Sequence, residues 1–188
     1  MTTIHKYFEE CEPDVKYEFY KAIEKTCPDG YEPVLSMNEY YVTSRNPKGS
    51  DIVFETPHVD GPWGFLPFTL LRCVYVLKED PNVITCIPSQ NYCDSIKKDE
   101  YVLFDYNRDV HYIIYQDVPN DRIVLKLHYV KIQFLYKIFK LLNILWNSFA
   151  RNLFLYSKSP ETVTEKCVAW IINKVTSLYA PSSNLSDI

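Results

Sequence analysis

Glycine is scarce in this chain, with 4 residues among 188, and no Cys-x-x-Cys pair occurs among its six cysteines. The shortage of glycine argues against a loop that cradles phosphate groups with its backbone. The cysteine spacing argues against a structural zinc site. The uncharged run Leu141–Ala150 is too short and too polar to cross a bilayer, which takes about 20 apolar residues.

A secretory signal is also missing from the start of the chain, because Met1–Glu12 is polar and charged. We therefore expect an intracellular, most simply cytoplasmic, protein. In that compartment the six cysteines would be reduced thiols.

The charge is unevenly distributed. The net charge of −4 argues against a nucleic-acid partner, which normally requires a basic surface. Between positions 122 and 160, however, there is no acidic residue and there are seven cations: Arg122, Lys126, Lys131, Lys137, Lys140, Arg151 and Lys158. The C-terminal third is therefore basic and apolar, on an otherwise acidic chain.

Aromatic residues are abundant, at 15% of the chain, with 16 Tyr and 10 Phe. Short β-rich segments recur at roughly 8–12-residue intervals with turn signals between them, which predicts a sandwich or barrel. The predicted strands are Glu39–Ser44, Asp51–Thr56, Phe65–Leu77, Val83–Ile87, Tyr101–Tyr106, Val110–Tyr115 and Arg122–Val130.

Helical periodicity is confined to the two ends. An amphipathic helix is predicted from Pro13 to Cys27, and further helices over about 133–178. We expect a single domain over 1–180, with its β core at about 39–130 and a frayed tail over 181–188. The polar loop Pro88–Lys98 is placed to cover the mouth of a site.

The segment His58-Val59-Asp60-Gly61 carries the first sign of chemistry. Two side chains that are two residues apart lie on the same side of an extended strand, and a glycine after the aspartate turns the chain away. An imidazole and a carboxylate converging in this way can begin a metal site. By chance alone, four His and 12 Asp in a chain of this length give about 0.26 such pairs, so the pair needs a third ligand.

His111, on a strand 53 residues later, supplies that ligand. In an antiparallel barrel of short strands, four or five strands bring the chain back beside its starting point. His58, Asp60 and His111 could then form a facial triad that leaves other metal positions open, as in non-haem Fe(II) oxygenases. The plainer alternatives are a turn-capping aspartate beside a surface histidine, and a core histidine at 111.

The order His58-Val59-Asp60, His111 and then Arg122 resembles the H-x-D…H…R signature of the Fe(II)/2-oxoglutarate-dependent oxygenases. The histidine six residues after that arginine, His128, is similar to the phytanoyl-CoA-hydroxylase-like branch, and prolyl-hydroxylase-like small oxygenases share the general pattern. The resemblance implies a double-stranded β-helix (jelly roll), with an N-terminal helix and a C-terminal helical extension. It also implies Fe(II) bound by His58, Asp60 and His111, and oxidative decarboxylation of 2-oxoglutarate coupled to hydroxylation of a substrate.

Arg122 and Lys126 lie four residues apart on one face of the last predicted strand, so either could bind the distal carboxylate of 2-oxoglutarate. We favour Arg122 because a guanidinium offers a planar bidentate fork. His128 is predicted to pack near the site, and His5 to be solvated and unrelated to it.

Other residues are candidates for the substrate pocket. Trp63 and Tyr112 could line it, although aromatic residues in strands more often belong to the core. Arg72 lies within an apolar run and needs either an acidic substrate group or a buried carboxylate.

The substrate itself is left open between a small molecule, a lipid-like molecule and a peptidyl side chain. Two other functions compete with the oxygenase: a cupin-like metal-binding or sensor protein without turnover, and a peripheral membrane protein that uses the basic C-terminal helices.

Overall fold

The computed structural model describes residues 4–43, 52–116, 121–158, 162–164, 166–168 and 170–171. Within these residues the strands are β1 (Ile4–Tyr7), β2 (Tyr31–Pro33), β3 (Glu39–Thr43), β4 (Leu70–Lys78), β5 (Val83–Ile87), β6 (Tyr92–Asp94), β7 (Tyr101–Asp105), β8 (Tyr112–Tyr115) and β9 (Arg122–Lys131). The helices are α1 (Pro13–Thr26), α2 (Ile52–Glu55) and α3 (Tyr136–Lys158). None of the described helices is long and apolar enough to cross a membrane.

The strands form two antiparallel sheets. The larger has the order β1-β3-β9-β4-β7, with β2 paired to the end of β9, and the smaller has the order β6-β5-β8. A backbone bridge between His58 and His111 extends the smaller sheet beyond β8.

Successive segments from β3 to β9 pass back and forth between these sheets. The chain runs from β3 in the large sheet to the His58 bridge in the small one, and then through β4 (large), β5 and β6 (small), β7 (large), β8 (small) and β9 (large). In the large sheet the last strand, β9, lies between β3 and β4. This winding is the double-stranded β-helix, or jelly roll, and it confirms the predicted fold class.

Three apolar clusters hold the layers together. Side chains of both sheets meet between them, among them Tyr41, Val76, Ile87 and Phe104. The helix α1 covers the outer face of the large sheet through Phe19 and Ala22, and α3 packs on the end of the barrel through Phe139.

The structure corrects several predictions of local structure. Residues 52–55 form one helical turn rather than a strand. An apolar run of that length fits a buried helix as well as a buried strand, so the sequence pattern does not distinguish them. The strand predicted from Phe65 begins only at Leu70, as β4. Two strands that were not predicted, β1 and β2, enlarge the main sheet. The expected loop over 88–98 contains β6, which pairs with β5.

A disulfide joins Cys86 in β5 to Cys93 in β6, so the expectation of reduced thiols is wrong for that pair. Cys11, Cys27, Cys73 and Cys167 are free. The predicted domain limits of 1–180 remain a prediction, and the predicted helix end and tail beyond residue 171 lie outside the described residues.

Candidate metal centre

His58, Asp60 and His111 converge at one end of the barrel. One ligand atom of each lies within 4.8 Å of the other two. The His111 Nε2 atom is 3.3 Å from Asp60 Oδ2, and the His58 Nε2 atom is 3.8 Å from Asp60 Oδ1. The antiparallel bridge between His58 and His111 explains the convergence, because it places two residues that are far apart in sequence directly opposite each other.

The far side of each imidazole is fixed by a backbone carbonyl. His58 Nδ1 lies 2.7 Å from the Thr56 carbonyl oxygen, and His111 Nδ1 lies 3.2 Å from that of Asp109. A carbonyl oxygen only accepts, so each Nδ1 carries the proton and donates. Each Nε2 then presents a lone pair toward Asp60, which is the tautomer and orientation that a metal ligand requires.

Close packing fixes the turn that follows Asp60. The Gly61 amide donates to the Tyr106 carbonyl at 3.1 Å, and a Cβ at Gly61 would lie 2.1 Å from the Asn107 side-chain oxygen. The indole N–H of Trp146 in α3 donates to the Asp60 carbonyl at 2.8 Å. The backbone of Asp60 and Gly61 is therefore held between the barrel and the C-terminal helix.

Arg72 provides the positive charge beside Asp60. Its Nη1 donates to Asp60 Oδ2 at 2.6 Å, and its Nη2 lies 3.8 Å from Glu39 Oε1. Burial alone would raise the pKa of Asp60, but the guanidinium of Arg72 and the nearby imidazoles outweigh burial and hold that pKa well below its usual range. Asp60 is therefore ionised and able to bind a cation at neutral pH.

His111 is neutral at the same pH. Burial lowers its pKa to about 4, although the charge of Asp60 acts in the opposite direction. A neutral His111 nitrogen thus lies beside the anionic Asp60 oxygen, and together with the His58 imidazole they give the two-nitrogen, one-oxygen donor set of the facial triad.

A buried polar network continues behind Arg72. Its Nε donates to His128 Nε2 at 3.0 Å, so the predicted packing role of His128 is confirmed. His5 forms a 2.7 Å contact with Glu39 and is largely buried, so the expectation that it is solvated is wrong. Glu39 also lies 3.9 Å from Lys126. Burial would raise the pKa of Glu39, but the hydrogen bond with His5 and the charges of Lys126 and Arg72 hold that pKa well below its usual value.

Arg122 is the first residue of β9 and is 3% exposed. Its Nη2 is 3.4 Å from the Thr85 hydroxyl, and no described group forms a hydrogen bond with its Nε. Among the described residues no carboxylate lies within ion-pair distance of it. Burial lowers the pKa of Arg122 to about 10. In the part of the chain that the structure describes, this interior guanidinium therefore has no close counter-ion.

A cavity of about 50 Å³ lies between the sheets and connects these groups. Its polar lining comprises His58, His111, Arg72, Arg122, Lys126 and Thr85, and its apolar lining includes Phe54, Phe104 and Ile113. Lys126 narrows the cavity because its ammonium group lies 4.7–4.8 Å from the ring centres of Phe54 and Tyr41. A five-carbon dicarboxylate could enter only if these side chains moved.

The structure places the remaining predicted residues as follows. Arg72 lines the cavity, but its guanidinium faces Asp60 and Glu39, which decides between the two alternatives in favour of a buried carboxylate. Trp63 packs against the cluster that anchors α3. Tyr112 follows His111 on β8, and the cavity is lined by its neighbours His111 and Ile113; alternation along the strand turns Tyr112 to the other side.

Sequence reasoning missed Glu39, His5, Thr85 and Phe54. Glu39 lies 19 residues before His58, and a single acidic residue at the start of an aromatic strand has no distinctive spacing. Its alternation with Tyr41, which lines the cavity, is the signal that could have indicated its inward orientation.

No protein-family model matches the chain, and no curated protein matches it by sequence. Solved structures similar to it include EvdMO1, with 12% identity and a TM-score of 0.47, over 70% of this chain and 35% of that chain. Two others are a prolyl 4-hydroxylase from Phytophthora capsici (14% identity, TM-score 0.43, 94% of this chain and 69% of that one) and SnoN, a non-haem α-ketoglutarate-dependent epimerase from nogalamycin biosynthesis (12% identity, TM-score 0.37, 69% and 77%). All three TM-scores lie below 0.5, and the fold assignment rests on the strand order of the chain itself.

Proposed function

We propose that this protein is a non-haem Fe(II)- and 2-oxoglutarate-dependent dioxygenase that hydroxylates a small-molecule, lipid-like or peptidyl substrate. The observation that carries the proposal is the pairing of two features in one cavity. One is a His-Asp-His cluster whose ligand atoms lie within 4.8 Å of one another, and the other is Arg122, a buried cation with no close counter-ion among the described residues.

His58, Asp60 and His111 would hold the metal. Two imidazole nitrogens and one carboxylate oxygen suit Fe(II), and three protein ligands leave positions for a chelating cosubstrate and dioxygen. When bound, Fe(II) with 2-oxoglutarate supplies the oxidising chemistry, with succinate and carbon dioxide as products. The role of the chain is to position the reactants and to supply the electrostatic environment.

Arg122 would bind the distal carboxylate of 2-oxoglutarate. An uncompensated buried guanidinium gains most from an anion that forms two parallel hydrogen bonds with it, and the Thr85 hydroxyl lies beside it. Lys126 is a weaker candidate for this role than Arg122, because its ammonium group already lies near Glu39 and against two aromatic rings.

Arg72 would act through Asp60 rather than on the substrate. Its hydrogen bond keeps the carboxylate ionised and fixes one of its oxygens. The apolar walls formed by Phe54, Phe104 and Ile113 would keep bulk water away from the reacting groups. Nucleic acid is the substrate class least compatible with the acidic chain.

The test is succinate formation by protein reconstituted with Fe(II), 2-oxoglutarate and ascorbate in air, with and without candidate substrates. We expect the wild type to form succinate and Asp60→Asn to form none above background. Asp94→Asn, which changes an exposed aspartate of β6, serves as the matched control and should behave as the wild type. Equal yields from the wild type and Asp60→Asn would refute the proposal.

The competing function is a cupin-like protein that binds metal without turnover. Metal and 2-oxoglutarate binding should therefore be measured separately, by anaerobic titration of the visible charge-transfer band that 2-oxoglutarate gives on Fe(II). The non-catalytic function would be favoured if the protein binds metal through His58 and His111 but gives no charge-transfer band with 2-oxoglutarate and forms no succinate.

A further inference from the structure

The outer face of α3 and the turn before it carry a continuous apolar stripe. Its members recur at intervals of three or four residues, so they lie on one side of the helix. They are each 53–77% exposed: Phe134, Ile138, Leu141, Leu145 and Phe149. At 1.5 Å per residue the stripe is roughly 22 Å long, far more than the scattered apolar residues of an ordinary surface.

The opposite face of α3 packs against the barrel. Phe139 and Asn143 are fully buried, and Asn143 accepts a hydrogen bond from Asn107 at 3.1 Å. Asn147 accepts one from Tyr106, and Trp146 donates to the Asp60 carbonyl. Since these contacts fix the rotation of the helix, the stripe cannot turn inward.

A basic cleft lies beside the N-terminal end of the stripe. It has a volume of about 190 Å³, and its charged lining is Lys131, Lys137, Lys140 and Glu32. Lys140 pairs with Glu32 at 2.8 Å. Among the described residues, Lys131 and Lys137 lie only against the rings of Tyr31 and Phe134. The cleft therefore has an excess of two positive charges, and no acidic residue occurs between positions 122 and 160.

We propose that this surface docks onto a membrane of anionic phospholipid. The cleft would take a lipid phosphate, and the stripe would enter the boundary between headgroups and acyl chains, as amphipathic helices with basic flanks do. This inference goes beyond the proposed oxygenase activity and does not depend on it.

Charge distinguishes this occupant from a second copy of the chain. A two-fold contact brings the same patch of both copies together. The unpaired lysines of the two clefts would then repel each other, and positions 122–160 offer no acidic residue to neutralise them. An anionic bilayer offers the opposite charge to the cleft and apolar tails to the stripe.

Co-sedimentation of the full chain with vesicles tests the proposal. We expect binding to vesicles of phosphatidylserine and phosphatidylcholine, little binding to phosphatidylcholine alone, and weakening at high salt. Lys131→Glu with Lys137→Glu should weaken binding at least roughly tenfold. The matched control, Lys97→Glu with Lys98→Glu, makes the same change in net charge at exposed sites outside the surface and should bind as the wild type.

The stripe is tested in the same assay. Ile138→Ser with Leu145→Ser should also weaken binding roughly tenfold or more, whereas Tyr17→Ser with Phe65→Ser, at comparably exposed apolar sites, should not. His58→Ala should bind vesicles as the wild type does, which separates this inference from the enzymatic one. Equal binding by the two lysine variants would overturn the proposal. A second result would also overturn it. The wild type would be a dimer that does not bind vesicles, and Ile138→Ser with Leu145→Ser would convert that dimer to a monomer.

Discussion

Arg72 and Asp60 form the shortest ion pair of the site, with 2.6 Å between Nη1 and Oδ2. The same guanidinium contacts His128 through Nε, approaches Glu39 through Nη2, and lies 4.8 Å from the centre of the Tyr106 ring. Burial would lower the pKa of Arg72, but the two carboxylates more than compensate and raise it. The Arg72 guanidinium thus lies between the two carboxylates, and Lys126 supplies a second positive charge near Glu39.

Replacing Arg72 with methionine should destabilise the protein by about 3–5 kcal/mol, because it removes the close ion-pair partner of the largely buried Asp60 carboxylate. Urea denaturation measures the change. The control is Lys21→Met, which removes an exposed pair with Glu18 and should cost less than about 1 kcal/mol. Indistinguishable midpoints for the two variants would show that the pair contributes nothing to stability.

Arg122→Met should separate cosubstrate binding from metal binding. We expect the affinity for 2-oxoglutarate to fall roughly tenfold to a hundredfold, from the loss of charged hydrogen bonds, while Mn(II) affinity is retained. The apoprotein should gain on the order of 1 kcal/mol in unfolding free energy, because the substitution removes a buried charge that pairs with no carboxylate among the described residues. Calorimetric titrations with metal and then with 2-oxoglutarate provide both affinities.

Lys126→Met is the comparison for Arg122→Met, because it removes the other candidate cation of the same cavity. It should weaken 2-oxoglutarate binding less than Arg122→Met does. A larger loss at Lys126 would transfer the cosubstrate role to that residue.

The sequence was sufficient to predict the fold class and that His58, Asp60 and His111 come together, since both follow from local signals. The H-x-D spacing places two side chains on one side of an extended segment, and regular turn signals indicate a closed β structure. The pairing of His58 with His111 followed from the closure of the barrel. These are short-range patterns combined with one topological assumption.

The partners of the trio could not be predicted in the same way. His5 and Glu39 meet because β1 pairs with β3, and Glu39 meets Arg72 because β3 and β4 flank β9. Such contacts depend on strand order and register, which a single sequence does not specify. The turn 52–55 was misassigned because its apolar residues fit a buried strand and a buried helix equally well.

His128 should make the protein less stable in mild acid. Burial and the charge of Arg72 lower its pKa to about 3, whereas an unfolded histidine titrates near 6.5. As the pH falls from about 6.5 toward 3, the unfolded chain binds a proton that the folded one does not. Stability is therefore complete above this window and falls within it by up to about 1.4 kcal/mol per pH unit.

His128→Gln removes this contribution while keeping an acceptor for Arg72. The unfolding free energy of the variant, measured in urea between pH 7 and 5, should depend less steeply on pH than that of the wild type. Parallel curves would mean that His128 is protonated in the folded state.

Gly61→Ala should damage the candidate metal centre through packing alone. The added methyl group would lie 2.1 Å from the Asn107 side-chain oxygen and 2.7–2.8 Å from the Tyr106 ring, and both neighbours are almost completely buried. Since neither can move freely, the backbone next to Asp60 must shift. We expect a loss of about 1–3 kcal/mol in stability and at least roughly tenfold weaker Mn(II) binding, because small displacements of ligands are costly.

Gly30→Ala separates this effect from general backbone strain. Gly30 has a φ of +77° and no atom within 4 Å of an added Cβ, so alanine there should cost about 1 kcal/mol and leave the metal affinity unchanged. Unfolding curves and Mn(II) titrations on both variants make the comparison. If Gly61→Ala binds metal as tightly as Gly30→Ala, the turn after Asp60 does not position the carboxylate, and the ligand geometry must be maintained by Arg72 and Trp146 alone.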